Sequence, residues 1–317
     1  MAEQMSLAES LLDPRLGVNA KLSAIAKVID WERLEPIVRR VRPGETGRPP
    51  YAPLVMLKAL YLQRLYDLSD PGLEEALLDR LSFRRFCGLP LDAPTPDETT
   101  ICRFRAAAAE AGVMEACFAE IAGQLEAKGL MLKRGTLMDA SIVKAKHNPP
   151  PIGAGRGAAH PKEPGADWTY RNGRSAFGYK AHLGVDAGSG LIRRVAVTPA
   201  KTYESEVADA LIVGDERAVY GDKAYENKHR RARLAARGIK DRSMRRANKW
   251  HPLSPRRQLW NDLVARRRAP VEATFSAMKR LYGLGRARCT TLARNAADIF
   301  AFAAIYNLRR VTILGFT

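Results

Sequence analysis

The sequence predicts an α/β protein in two parts: an all-helical N-terminal domain over residues 1–130, then a mixed sheet flanked by helices over residues 131–317. Three observations predict it. Up to about residue 130, apolar residues recur every three or four positions, the period of a helix. After Lys133 the period falls to two, as in Phe177-Gly-Tyr-Lys-Ala-His-Leu-Gly-Val185. From there short strand patterns alternate with helical ones, and the chain ends on a helical, mostly apolar run, Asn295–Arg310.

In the first part, Asn19 is placed to cap a helix that carries Leu22, Ile25, Ala26 and Ile29 on one face. Pro53 opens the next, with Leu54, Leu57, Leu60, Tyr61 and Leu65 at helical spacing. Ser69-Asp70-Pro71 starts a third that runs to Phe86, with Gly88 as its stop. Asp97 caps a fourth, Gly112 breaks it, and a fifth ends at Gly129. The helices 71–86 and 99–111, joined by a Pro-rich turn, read either as helix-turn-helix-like or as part of a plain bundle. In the first reading Arg103 and Arg105 face phosphates or base edges; in the second they are solvated.

In the second part, Thr136–Val143 is a strand, apolar on its Met138, Ala140 and Ile142 face. Residues 147–175, rich in Pro and Gly, read as a flexible insert. Phe177–Val185 and Leu191–Thr198 form a hairpin about Ala187-Gly-Ser-Gly190. Then come a helix from Tyr203 to Val213, a short strand 218–222 ending at an acid and a helix 223–237 stopped by Gly238. A short strand near 239–242, a basic insert near 243–260 and a helix through residue 282 follow. That order matches a ribonuclease-H-like arrangement.

Charge narrows the class of partner. The chain carries a net charge of +18 over 317 residues, which favours polyanions. Between Lys228 and Arg268 there are 15 Lys and Arg against two acids, the pattern of a polyanion track. Arg245, Arg246 and Lys249 lie at its centre, and Trp250 and Trp260 are either core or base-stacking side chains. No apolar run of about 18 residues occurs, so no membrane span is expected. The first 14 residues lack the basic stretch of a signal peptide. Four scattered cysteines without a C-x-x-C pair fit free, buried thiols in a reducing cytoplasm.

Three acids stand out. Asp139 lies mid-strand among apolar neighbours; it faces water at the strand edge, or a cation, hydrogen bonds or a metal compensates it. Asp222 ends a strand after Gly221, where it is a helix cap or a site residue. Glu272 sits between Arg268 and Lys279 on one face of a helix, beside an apolar stripe of Val271, Phe275, Met278 and Tyr282. In a ribonuclease-H-like fold these three places converge at the carboxyl edge of the sheet. Carboxylates without a nearby His or Cys suit Mg²⁺ or Mn²⁺. Two such ions can activate water and stabilise the leaving oxygen of a phosphodiester.

These stretches resemble a bacterial insertion-sequence transposase of the DDE class, in the insertion sequence five group. The residues that carry the resemblance are Leu68–Leu77, Leu81–Phe86, Asp97–Arg105, Asp139-Ala-Ser-Ile-Val143, Phe177-Gly-Tyr-Lys-Ala-His182, Gly221-Asp-Lys-Ala-Tyr225 and Arg268–Lys279. The group's signature is Tyr-x2-Arg-x3-Glu-x6-Lys; Arg268, Glu272 and Lys279 match it, and Ala265 stands at the Tyr position. The resemblance implies that Asp139, Asp222 and Glu272 bind the metal ions and catalyse. It implies that Arg268 and Lys279 contact the DNA backbone at the cleaved end, and Lys180 and His182 would reach DNA from the hairpin. The implied activity is metal-dependent cleavage at the ends of the element, then joining of the 3′-hydroxyl to target DNA. Double-stranded DNA is the implied partner, the protein a homodimer or larger on it, and the bacterial nucleoid its place. The competing expectations are a catalytically silent DNA-binding relic and a stand-alone metal-dependent nuclease of the same fold.

Overall fold

A computed structural model of the chain describes residues 15–41, 51–150, 160–171, 173–247 and 252–315. It divides into two compact units: residues 1–124 with 300–317, and residues 125–299. The expected boundary near residue 130 treats the last helix as part of the second domain; here its C-terminal part belongs to the first unit, where Phe300 meets Phe118 and Phe302 lies under Arg64.

Among its described residues, the regular structure of the first unit is helical. Its helices are α1 (Ala20–Val28), α2 (Glu35–Val38), α3 (Pro53–Leu65), α4 (Asp70–Asp79), α5 (Leu81–Cys87), α6 (Glu98–Glu110) and most of α7 (Val113–Ala127). The expected caps are in place: Asn19, Ser69 and Asp97 accept from the backbone N–H of Leu22, Gly72 and Thr100. The expected single helix 71–86 is instead two, because Arg80 is extended. At about 100° per residue, an unbroken helix would put Phe86 about 140° away from the Leu73 line. The break lets both Leu73 and Phe86 be buried. Arg84, also buried, donates to the carbonyls of Pro90, Leu91 and Ala93 and so shapes the turn before α6.

The second unit is built on a six-stranded mixed sheet. Its strands are β1 (Thr136–Lys144), β2 (Asp167–Arg171), β3 (Arg174–Asp186), β4 (Ile192–Pro199), β5 (Ala218–Tyr220) and β6 (Lys240–Asp241). β3 is antiparallel to β1, β2 and β4, whereas β5 runs parallel to β1 and β6 parallel to β5. Helices α8 (Glu204–Leu211), α9 (Lys228–Ala236), α10 (Pro255–Tyr282) and the start of α11 (Leu292–Ile313) complete it. A mixed sheet flanked by helices, after a helical region, is consistent with a ribonuclease-H-like fold.

Part of the expected flexible insert is strand: Asp167–Arg171 pairs with Arg174–Gly178. Residues 151–159 and Asn172 of that insert lie outside the described residues, as do 248–251 of the basic insert and the first 14 residues. β3 passes from β2 to β4 as its partner at Gly178. That residue has φ +152°, and a Cβ there would sit 2.2 Å from the carbonyl oxygen of Val143. Only glycine lets β3 lie so close to β1 at this point.

Both faces of β1 are covered. Met138 joins Ala208, Leu211, Val219, Tyr225, Leu234 and Ile239 in one core cluster. The predicted stripe Val271, Phe275, Met278 and Tyr282 of α10 is fully buried. Each such side chain contributes about 1.5–3 kcal/mol of burial, which fixes α10, and hence Glu272, relative to the sheet. Pro270 lies inside α10, and the Thr274 hydroxyl donates to its carbonyl.

Candidate active site

Parallel pairing of β1 with β5 leads toward the first two acids. Thr136 pairs with Val219 and Leu137 with Tyr220. Asp139 follows Leu137 by two residues within β1, and Asp222 follows Tyr220, the last residue of β5, by two. Asp222 caps a short 3-10 turn, Lys223–Tyr225, accepting from the N–H of Ala224 at 2.8 Å. The cap and the site readings of this residue are therefore compatible.

Helix α10 brings the third acid. Asp139, Ser141, Glu272, Phe275, Ser276, Lys279 and Arg280 line one open cleft of about 560 Å³. Asp222 is not among its lining residues. Glu272 and Lys279 are exposed, Asp139 and Asp222 half-buried. The donors are carboxylate oxygens, the type Mg²⁺ and Mn²⁺ take. Among the described residues, no three His, Cys, Asp or Glu side chains are gathered closely enough to hold a metal ion.

Arg268 does not lie where the sequence reading put it. Its side chain is only 5% exposed; it points inward and forms an ion pair with Asp139 Oδ1 at 3.1 Å, while donating to the Met138 carbonyl at 3.2 Å. The compensating cation for the mid-strand Asp139 is thus Arg268, whose guanidinium is buried against β1 rather than open to solvent.

Lys180 and His182 are also buried, on the α8 side of β3. Lys180 Nζ donates to the Thr202 carbonyl at 2.8 Å and lies 3.9 Å from Glu204. His182 Nε2 is 3.0 Å from the Thr198 hydroxyl. Their strand is flanked by a helix rather than open to solvent, which overturns the expected DNA contacts. Burial, and then the Lys180 charge, push the His182 pKa down to about 3. The folded protein therefore refuses a proton that the unfolded chain accepts below about pH 6.5. Stability should fall as pH drops from about 6.5 toward 3, by about 1.4 kcal/mol per pH unit from this residue. Urea unfolding of His182→Gln at pH 7, 6, 5 and 4.5 should show a flatter decline than wild type. Identical slopes would mean that His182 takes up its proton in the fold.

Of the N-terminal pair, Arg103 is exposed, while Arg105 is committed to Asp70 at 2.5 Å and to Gln63. Burial raises the Asp70 pKa, but the hydrogen bonds from Arg105 and Gln63 outweigh it and hold the carboxyl below its usual range. Arg105 is a strut between α4 and α6. The basic track is likewise partly internal. Arg230 and Arg233 pair with Asp209, and Arg231 pairs with Asp241. Arg245 is half-buried over the Trp260 ring, whose Nε1 donates to Ser243. Arg246 is exposed and donates to the Lys223 carbonyl, next to Asp222. Lys249 and Trp250 lie outside the described residues. Exposed cations remain at Lys228, Arg237, Lys240, Arg256, Arg257, Arg266 and Arg267. Cys87 and Cys117 are buried as expected, but Cys102 is exposed.

An open cleft with Asp139, Glu272 and Lys279 on its wall offers carboxylates and a cation together. Residues 131–308 match the family described as Transposase DDE domain, and residues 10–107 match Transposase domain (DUF772). The chain belongs to the DDE-type transposases of insertion sequences. No solved structure matches it. Among the described residues no helix is long and apolar enough to cross a membrane.

Proposed function

We propose that the chain is the transposase of an element in the insertion sequence five group. It binds the ends of that element, hydrolyses a phosphodiester bond there and joins the freed 3′-hydroxyl to target DNA. The observation that supports this reading is the open cleft that Asp139 shares with Glu272 and Lys279. Asp139, Asp222 and Glu272 would hold Mg²⁺ or Mn²⁺, two ions in all, with the exposed Glu272 completing the set. Bound there, the ions supply an activated water and neutralise charge on the leaving oxygen.

The protein's own side chains do the rest. Arg268 fixes the Asp139 carboxylate on its strand. Lys279, on the cleft wall two turns beyond Glu272, offers a cation to the scissile phosphate. Arg246 and the exposed arginines of α10 bind the flanking backbone, and Arg103 of α6 is the side chain open to base edges in the helical unit. The homodimer or larger assembly on DNA, and action at the nucleoid in the cytoplasm, belong to the same proposal.

The test uses the purified full chain, a donor duplex carrying the inverted repeats that flank the gene, and Mg²⁺ or Mn²⁺. The expected result is a cut at each end that leaves a 3′-hydroxyl, followed by joining to a second duplex. Uncut ends, or degradation without regard to the repeats, would overturn the proposal; the second outcome would mark a nuclease.

A further inference from the structure

Strand β3 runs past its neighbour β1. Its pairing with β1 ends at Gly178, opposite Lys144, and its pairing with β4 begins at Tyr179. Residues 174–177 therefore pair in the sheet with β2 alone, as a two-stranded ribbon. One face of that ribbon continues the Asp139 face of the sheet. Asp139 is opposite Leu183, Leu183 and Ser175 are an even number of residues apart on β3, and Ser175 is opposite Tyr170. Side chains alternate along a strand and opposed residues share a face, so Tyr170, Ser175 and Asp139 lie on the same side.

Aromatic rings line the root of that face. Trp168 lies 5.4 Å from Phe177, Phe177 6.3 Å from His160, and His160 5.4 Å from His147, centroid to centroid. Tyr170 continues the row and is 72% exposed, and Ser175 opposite it is exposed too. Lys146, Lys162 and Arg286, all exposed, gather about the root. Arg286 donates to the carbonyls of Ala145 and Lys146, and the Lys162 N–H donates to His160 Nδ1. Those acceptors are neutral and leave the side-chain charges uncompensated. The acids nearby are committed elsewhere. Glu163 is fully buried and accepts from the N–H groups of Lys146 and His147, and Asp167 pairs with Lys201 at 2.7 Å. The surface that remains is positive and carries hydroxyls, which suits phosphate.

We propose that the β2–β3 ribbon is a second DNA-binding surface: the duplex cut in the Asp139 cleft runs on along this face, its phosphates meeting Lys146, Lys162 and Arg286 at the root and the hydroxyls of Tyr170 and Ser175 beyond. The proposal rests on the reading of that cleft as the place of cutting. The strand sets the spacing. Along β3, Gly178 at the root is five residues from Leu183, and Ser175 is eight. At about 3.4 Å per residue these are about 17 and 27 Å, or about five and eight base pairs of a duplex that rises about 3.4 Å per pair. Phosphate contacts fix register and orientation rather than sequence, so the ribbon holds the DNA end in line with the cleft.

Hydroxyl-radical footprinting of the full-length protein on its end DNA, with a salt titration of the affinity, tests it. Wild type should protect the cut and a second patch about five to eight base pairs away. The double variant Lys146→Gln, Lys162→Gln should lose the near part of that patch and flatten the log–log salt slope by about 0.9 for each charge removed. Tyr170→Ala should lose the far part. Lys146→Arg with Lys162→Arg keeps both charges and should keep both the patch and the slope. Three results overturn the proposal and leave the role of the cleft standing: a wild-type footprint confined to the cut, a patch that persists in the Gln and Ala variants, or a patch lost as fully in the Arg variant as in the Gln one. A wild type that leaves the cut itself unprotected removes the reading of the cleft, and the proposal with it.

Discussion

Asp222→Asn should leave the fold intact and reduce end cleavage by about 10³-fold or more. The asparagine carbonyl can still accept from the Ala224 N–H, so the 3-10 turn keeps its cap. What it loses is one unit of negative charge at the place where a divalent cation would sit. Metal-ion catalysis of phosphodiester hydrolysis rests on several kcal/mol of charge stabilisation, and each 1.36 kcal/mol is a factor of ten in rate. Asp139→Asn should lose as much activity, but with some loss of stability, because Arg268 would keep only a neutral acceptor. Binding to end DNA should hold or tighten for both variants, since removing a carboxylate lessens repulsion of phosphate. Gel-shift affinity, a thermal melt and a single-turnover cleavage assay in Mg²⁺ separate these effects. Cleavage by either variant at the wild-type rate would remove that acid from the catalytic set.

The need to compensate Asp139 was legible in the sequence, and Arg268 meets it. A carboxylate amid Leu137, Met138 and Ala140 needs compensation, and an acid directly after the Gly221 turn marks a strand end. The fold order was legible from the change of period after Lys133 and from caps with a mechanism, such as Asn19, Ser69 and Asp97. Burial of side chains that look polar was not legible. Lys180 and His182 alternate correctly along β3, but alternation does not say whether the polar face meets solvent or a helix. Here α8 covers it, and Glu204 at the start of that helix supplies the anion for Lys180.

Pairing between distant residues was equally hidden. Arg105 reads as a free cation at a helix start until Asp70, thirty-five residues earlier, is seen to accept both of its terminal nitrogens. The stretch 228–268 reads as a uniform basic track because its counter-ions lie mostly outside it: Asp209 for Arg230 and Arg233, Glu226 for Arg231. β2 is not legible because Pro and Gly dominate the segment that leads into it, and it pairs with β3 mostly before Phe177, where the clean alternation begins. Net charge still argues for a polyanion, but fewer of the arginines are available to meet it than a count suggests.

Arg268 gives the sharpest contrast between the two ways of reading a cation. As part of the Arg268-Glu272-Lys279 face it resembles a phosphate contact. In the structure it is buried between α10 and β1, with Asp139 Oδ1 and the Met138 carbonyl as its partners. Removing one member of a buried pair leaves the other charge uncompensated, at a cost of about 3–5 kcal/mol. Arg268→Met should therefore lower the melting temperature by about 10 °C, at about 2–4 °C per kcal/mol for a unit of this size. It should leave the dependence of DNA affinity on salt unchanged, because no phosphate contact is lost. Lys279→Met, at an exposed position, should do the reverse: a melt lowered less than that of Arg268→Met, and a log–log salt slope shallower by about 0.9 for the one contact removed. Arg268→Lys should fall in between on stability, since it restores the charge but not a fork that reaches both a carboxylate and a carbonyl. The decisive comparison is the pair of melts and salt titrations for Arg268→Met and Lys279→Met on the same end DNA. A normal melt with a flattened slope for Arg268→Met would mean that the guanidinium leaves Asp139 for the DNA backbone, and that some other cation compensates the strand acid.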